Sequence, residues 1–250
     1  APGGTSTFSQ PVNVPELTQM FREFADVLTS EHLAEMLGDK RPSVKYGARK
    51  LVITPQVDDY MDYKKELAAR LEKSRRWKPS RDEPNNPDPV IRIIGDGRLA
   101  AIDMRFIDPS LSSDPASKLN VLIDGVIKSY KKGADYTFNN KAGKEEEIKG
   151  TTQMVFSDIG FGAGVATHRG FNARAWFEKR LRDAGIPPNQ VVFMSDLKKS
   201  DAKQKAFKDM NSGRVRILVG SSKNMGTGVN AQQRLRALHH LDTPWYPADL

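Results

Sequence analysis

The sequence predicts an α/β fold, a parallel sheet flanked by helices and preceded by a mostly helical extension, and three observations carry that expectation. From residue 151 onward, short apolar runs (TQMVFSD, VVFMSD, VRILVG, ALHHLD) alternate with segments of helical periodicity (GFNARAWFEKRLRDAG, SDAKQKAFKDMNSG). Strands separated by helices require right-handed crossovers and therefore pair in parallel. Residues 215–219 form an apolar, β-branched run of the kind expected in a strand covered on both faces. That run is followed by GSSKNMGTGVN, which puts hydroxyls, an amine and three glycines at the carboxyl end of a strand, where open α/β sheets hold their ligands.

The elements before this region follow from spacing and breakers. APGGTSTFSQPVNVP, residues 1–15, reads as a flexible lead-in rich in Gly, Pro, Ser and Thr. ELTQMFREFADVLT then places Leu17, Met20, Phe21, Phe24, Val27 and Leu28 at helical spacing behind Pro15, which is well suited to a first helical turn. Thr29 or Ser30 can cap a second short helix, EHLAEML, which Gly38 ends. VKYGARKLVIT, residues 44–54, reads as paired extended segments with a turn near Gly47.

A helix over residues 58–73 sets Tyr60, Tyr63, Leu67 and Leu71 against a basic face. WKPSRDEPNNPDP is a breaker-rich loop. VIRIIGDGRLAAIDMRFIDP predicts a short strand, a turn at Gly95 and Gly97, and a helix around residues 98–105. After it, Asp114 or Ser117 caps a helix that buries Leu119, Leu122, Ile123, Val126 and Ile127. Residues 133–150, with the charge run KAGKEEEIKG, read as a mobile polar insert.

Composition narrows the function. Apolar residues make up 38% of the 250, and mean hydropathy is −0.56. That is low for a tightly globular enzyme and implies solvated segments. The net charge of +8 favours polyanionic partners such as nucleic acid. Without cysteine there is no thiolate ligand, disulfide or cysteine nucleophile, and His32, His168, His239 and His240 form no ligand pattern. No apolar run is long enough to span a membrane and no signal-peptide pattern opens the chain, so a soluble, intracellular protein is expected. Taken alone, the glycine loop serves equally as an ordinary strand-to-helix connection and as a phosphate cradle.

The order of motifs says more. DGRLAAIDMRFIDP followed by DPASK, then TQMVFSD, then FMSDLKKSDAKQKAFKDMNSGRVRILVGSSKNMGTGVN, then ALHHLDTPWYPADL, resembles the second RecA-like lobe of superfamily 2 helicases and Swi/Snf-type DNA translocases. More narrowly, the chain is similar to helicase-like proteins of phages, plasmids and other mobile elements. TQMVFSD looks like helicase motif IV, the block through GVN like motif V, and ALHHLDTPWYPADL like the segment before motif VI. ELTQMFREFADVLT resembles the connection leaving the first lobe. The resemblance implies a RecA-like lobe over residues 111–250, ending before motif VI, and a helical or mixed connecting region over 16–110.

By position, the resemblance assigns DNA-backbone contacts to Ser221, Ser222 and Lys223. It assigns one wall of a shared nucleotide cleft to Gly226, Gly228 and Asn230. Contacts of this kind position a nucleic acid without reading its sequence. ATP and Mg2+ would bind only together with a first lobe, and no cofactor is intrinsic. DNA, that first lobe and, as in many family members, a fused methyltransferase domain are the implied partners.

An NTPase of this superfamily needs a P-loop lysine, an acidic magnesium motif and arginine fingers. GFGAGVATHRG lacks the lysine, no D-E-x-H follows an apolar strand, and Arg216, Arg234 and Arg236 stand at other places in the pattern than the fingers. The chain alone is therefore expected not to hydrolyse ATP, and no catalytic residue is assigned. The expectation is the second motor lobe of an ATP-dependent DNA helicase or translocase in a bacterial or phage-infected cytoplasm. The alternative is a helicase-derived, non-catalytic nucleic-acid-binding or structural component of a phage particle or assembly.

Overall fold

A computed structural model describes residues 13–25, 28, 30–38, 52–54, 58–81, 83, 85–140, 142–161, 170–225 and 229–242. The lead-in through residue 12, most of the extended pair expected at 44–54, His168, Gly226, Gly228 and Trp245 lie outside them. Contacts divide the chain into two units, Ala1–Val52 and Ile53–Leu250. In the first unit, α1 (Val14–Phe24) has Pro15 in its first turn and α2 (Ser30–Leu37) ends at Gly38.

The second unit opens with α3 (Asp58–Arg76) and α4 (Val90–Ile102), which pack on each other. α4 corrects the strand and turn expected at its start. Gly95 and Gly97 are helical residues, and Gly97 faces Leu67 of α3, whose Cδ1 lies 3.4 Å from where a Cβ would stand, an ordinary packing distance. Packing thus overrides a local preference for strand. Arg70 secures the pair by donating to Asp88, to the buried Asp96 at 2.8 Å and to the Tyr63 hydroxyl.

α5 (Lys118–Lys132) starts at Ser117, whose Oγ accepts the Asn120 amide at 3.3 Å. Then come β1 (Thr152–Phe156), α6 (Ala173–Asp183), β2 (Val191–Phe193), α7 (Ser200–Ser212), β3 (Ile217–Gly220), α8 (Ser222–Met225) and β4 (Leu235–His240). The four strands form one all-parallel sheet in the order β2-β3-β1-β4. The α/β architecture, a helix-flanked parallel sheet of RecA-like kind behind a helical N-terminal part, is the one the sequence predicts.

Period-2 alternation divides the core between the two faces of the sheet. Val155, Ile217, Val219 and Phe193 join Leu119, Ile123 and Val126 of α5 and Phe177 and Leu181 of α6 on one face. Met154, Phe156 and Leu218 join Phe207 and Met210 of α7 and Met225 of α8 on the other. β4 alternates between half-buried and exposed residues, as an edge strand does. Among the described residues, no helix is long and apolar enough to cross a membrane.

The insert after α5 is not the mobile segment expected. Thr151 N–H donates to Gly133 O and Gly150 N–H to Tyr136 O, and Asn139 bridges Glu145. Arg234, 2% exposed, pins the segment to α7. Its guanidinium donates to Ile148 O at 2.6 Å, to Asn211 O at 3.1 Å and to Glu146, and lies 4.6 Å from the Phe138 ring. Gly213 ends α7 at φ 83°, against this guanidinium, where a Cβ would clash at 2.7 Å.

Candidate functional site

The two ends of the sheet differ in chemistry. At the amino ends of β1, β3 and β4, the buried arginines are consumed internally. Arg216 donates to Thr151 O at 3.0 Å and Tyr130 O at 2.9 Å and lies 3.9 Å over the Tyr130 ring, and burial pushes its guanidinium pKa down. With Arg234 equally engaged, neither buried arginine is available to a ligand. Arg236 lies 5.6 Å from the Tyr136 ring.

Within the sheet, Gln153 Nε2 donates to Val126 O at 3.0 Å, leaving Gln153 Oε1 to face His239 Nε2 at 2.8 Å. An amide oxygen only accepts, so His239 donates through Nε2. Burial holds the ring toward its neutral form, with the neighbouring His240 adding to the effect. His239 is therefore a structural link between β4, β1 and α5. His240 is exposed and stacks on Phe156 with ring centroids 4.8 Å apart.

At the carboxyl end, three loops converge. Pairing continues one residue beyond the strands, with Ser157 N–H donating to Gly220 O and Leu241 N–H to Phe156 O, each at 3.0 Å. This brings the residues after β1, β3 and β4 side by side. The connection from β1 leads to β2 on one side, and that from β3 leads to β4 on the other, so β1 and β3 flank the switch point where such sheets bind ligands.

A chain of polar contacts ties these loops together. Asp158 Oδ1 accepts the Ser222 amide at 3.0 Å, and the Asp158 amide donates to Asp242 Oδ1 at 3.1 Å. Arg98, from α4, donates to Asp242 Oδ2 at 3.2 Å. The Asp242 side chain is 9% exposed, and burial pushes its carboxyl pKa up. The Asp158 charge acts in the same direction, whereas the Asp158 amide and Arg98 oppose it.

Of the residues expected to contact a ligand, Ser221, Ser222 and Lys223 come together here. The expected loop is already helical at Ser222, because Ser221 O accepts the amides of both Asn224 and Met225 and α8 begins at once. Met225, 3% exposed, anchors this single turn in the core. Ser221 and Ser222 are half-buried, while Lys223 is exposed and pairs with no carboxylate among the described residues. Asn230 stands apart on the α7 side, where its carbonyl accepts Asn211 Nδ2 at 2.8 Å and its side chain is exposed.

The sequence reasoning did not pick out Asp158, Asp242 or Arg98. Each aspartate does follow a predicted strand, in FSD and HLD, which was a usable signal. Arg98 gave none, because it read as the opening residue of a short helix with nothing to tie it to the sheet edge.

This edge can present a hydroxyl, an ammonium and small residues to a polyanion. Among the described residues, it does not hold a complete set of groups for a nucleotide and magnesium. The Asp158 carboxylate is engaged by the Ser222 amide and the Asp242 carboxylate by Arg98, and no group of three or more acidic or histidine side chains among the described residues could hold a metal ion. No known protein family, curated protein or solved structure matches the chain.

Proposed function

We propose that this chain is the second motor lobe of an ATP-dependent DNA helicase or translocase, supplying DNA-backbone contacts and one wall of an ATP cleft. The observation that carries this reading is the placement of Ser221, Ser222 and Lys223 together at the carboxyl edge, beside the β1–β3 switch point. The motif order, the parallel sheet and the net charge of +8 support it. The remainder of an ATP site, with its phosphate-binding lysine, belongs to a first lobe. We place this role in a bacterial or phage-infected cytoplasm.

The test is fluorescence anisotropy of the chain with labelled duplex and single-stranded oligonucleotides across a salt series. Sequence-independent binding that weakens steeply with salt is expected, and Ser222→Ala with Lys223→Ala should weaken it by roughly tenfold, as removal of a charged backbone contact does. Unchanged affinity in that double variant removes the loop from the interface. DNA-stimulated ATP hydrolysis by a longer parent polypeptide distinguishes a motor lobe from the second reading, a helicase-derived binding or structural component. The engagement of both edge carboxylates favours that second reading.

A further inference from the structure

The C-terminal turn of α3 and the loop beyond it read KSRRWKPSR, carrying five cations, Lys73, Arg75, Arg76, Lys78 and Arg81, and no acidic residue. All five are exposed, and Trp77 between them is half-buried. Among the described residues, neighbouring carboxylates do not neutralise the run. Glu72 alone faces both Arg75, at 3.6 Å, and Arg76, at 3.5 Å, and these arginine side chains remain 63% and 82% exposed. Glu83 lies near the Trp77 indole N–H, and Asp88 is engaged by Arg70. A helix C-terminus carries about half a negative charge, which accounts for one or two cations but not five.

Position adds to composition. Leu67 packs at Gly97, adjacent to Arg98, which contacts the carboxyl edge of the sheet through Asp242. Arg76 is nine residues further along α3, about 14 Å at the ~1.5 Å rise of a helix. The basic run therefore sits at the far end of the helix whose middle packs beside Arg98. Arginine forks match phosphate geometry and are only weakly hydrated, so pairing costs them little. An indole among them adds a surface on which a sugar or base can rest.

We propose that residues 73–81 form a second nucleic-acid contact surface, which grips the phosphate backbone independently of the Ser221–Lys223 turn. This inference rests on the nucleic-acid reading above. It adds that more of the salt-dependent affinity comes from this run than from the turn, because it offers five cations against one.

The experiment compares the wild-type chain with Arg75→Gln, Arg76→Gln, Lys78→Gln and Arg81→Gln combined, using a labelled duplex and a salt series. On B-DNA, removing one cation–phosphate pair lowers the slope of log affinity against log salt by about 0.9. The fourfold variant should therefore drop about two to four units of slope and at least tenfold in affinity at low salt. Arg75→Lys, Arg76→Lys and Arg81→Lys combined, which keep the charge, should retain most of the slope.

A slope within half a unit of wild type in the glutamine variant overturns the proposal while leaving the functional reading intact. A wild-type chain that binds no DNA at all overturns both. Competition by polyglutamate as effective as that by DNA of equal charge also overturns it, since the surface would then favour acidic proteins.

Discussion

Asp242→Ala tests whether the carboxyl edge is organised as described. In the folded chain this carboxylate accepts the Asp158 amide at 3.1 Å and Arg98 at 3.2 Å. Hydrogen bonds to charged groups contribute about 1.5–3 kcal/mol each, and the recovered burial cost of the carboxylate offsets part of their loss. Destabilisation of about 2–4 kcal/mol is expected in urea melts. Asp242→Asn keeps an oxygen for the Asp158 amide and removes the burial cost while losing the Arg98 ion pair, so about 1 kcal/mol is expected.

Both variants also separate from the wild-type chain in pH dependence. Burial raises the folded-state carboxyl above its ordinary value of 3.8, so the folded chain binds this proton more readily than the unfolded one. The group's contribution therefore becomes more favourable as pH falls from the folded value toward 3.8, and Asp242→Asn removes that trend. At the Ser222 amide, whose acceptor Asp158 is held by Asp242, hydrogen exchange should accelerate about tenfold in the alanine variant, equivalent to about 1.4 kcal/mol of local opening. A cost below about 1 kcal/mol for alanine, or equal effects of asparagine and alanine, would refute a shared network.

Two further outcomes follow from buried polar groups. Thr152, 1% exposed in the central strand, has a hydroxyl with no hydrogen-bond partner, so Thr152→Val should leave stability unchanged or raise it by up to about 1 kcal/mol in thermal or urea melts; a decrease above about 1 kcal/mol would reveal an unseen bond. His239 is held below its ordinary value of 6.5, so the unfolded chain takes up this proton first as pH falls, and stability should be lost from about pH 6.5 downward. His239→Gln should shrink that acid-side decline, and identical pH profiles for the two proteins would count against a buried neutral imidazole.

How much of this was legible in the sequence depended on how local the cause was. The strands and helices after residue 151 were readable because their apolar periods match their structures, as in Gln153–Phe156 and Phe177–Leu181. Val90–Ile102 misled because VIRII favours a strand and Gly95 and Gly97 suggest a turn, while the packing partner of this segment is a separate helix, α3. The charge run of residues 141–149 suggested mobility because its anchor, Arg234, lies 86 residues beyond the Ile148 carbonyl it holds. At the candidate site, the turn from Ser221 to Lys223 could be read from its strand. Its ties to Asp158, Asp242 and Arg98 could not, because they exist only once four separated segments have come together.

The strand order also sets a schedule for synthesis. β1, whose five residues are all buried, lies between β3 and β4, and Asp158 at its exit meets Ser222 and Asp242 only 64 and 84 residues later. At about 5–20 residues per second, a ribosome needs about 4–17 s to supply the last of these partners. For that interval TQMVF, an apolar segment with both edges unpaired, must remain in solution beside the growing chain. The greatest aggregation hazard therefore falls before β4 emerges, and slowing translation between β1 and β4 should lower soluble yield more than slowing it elsewhere.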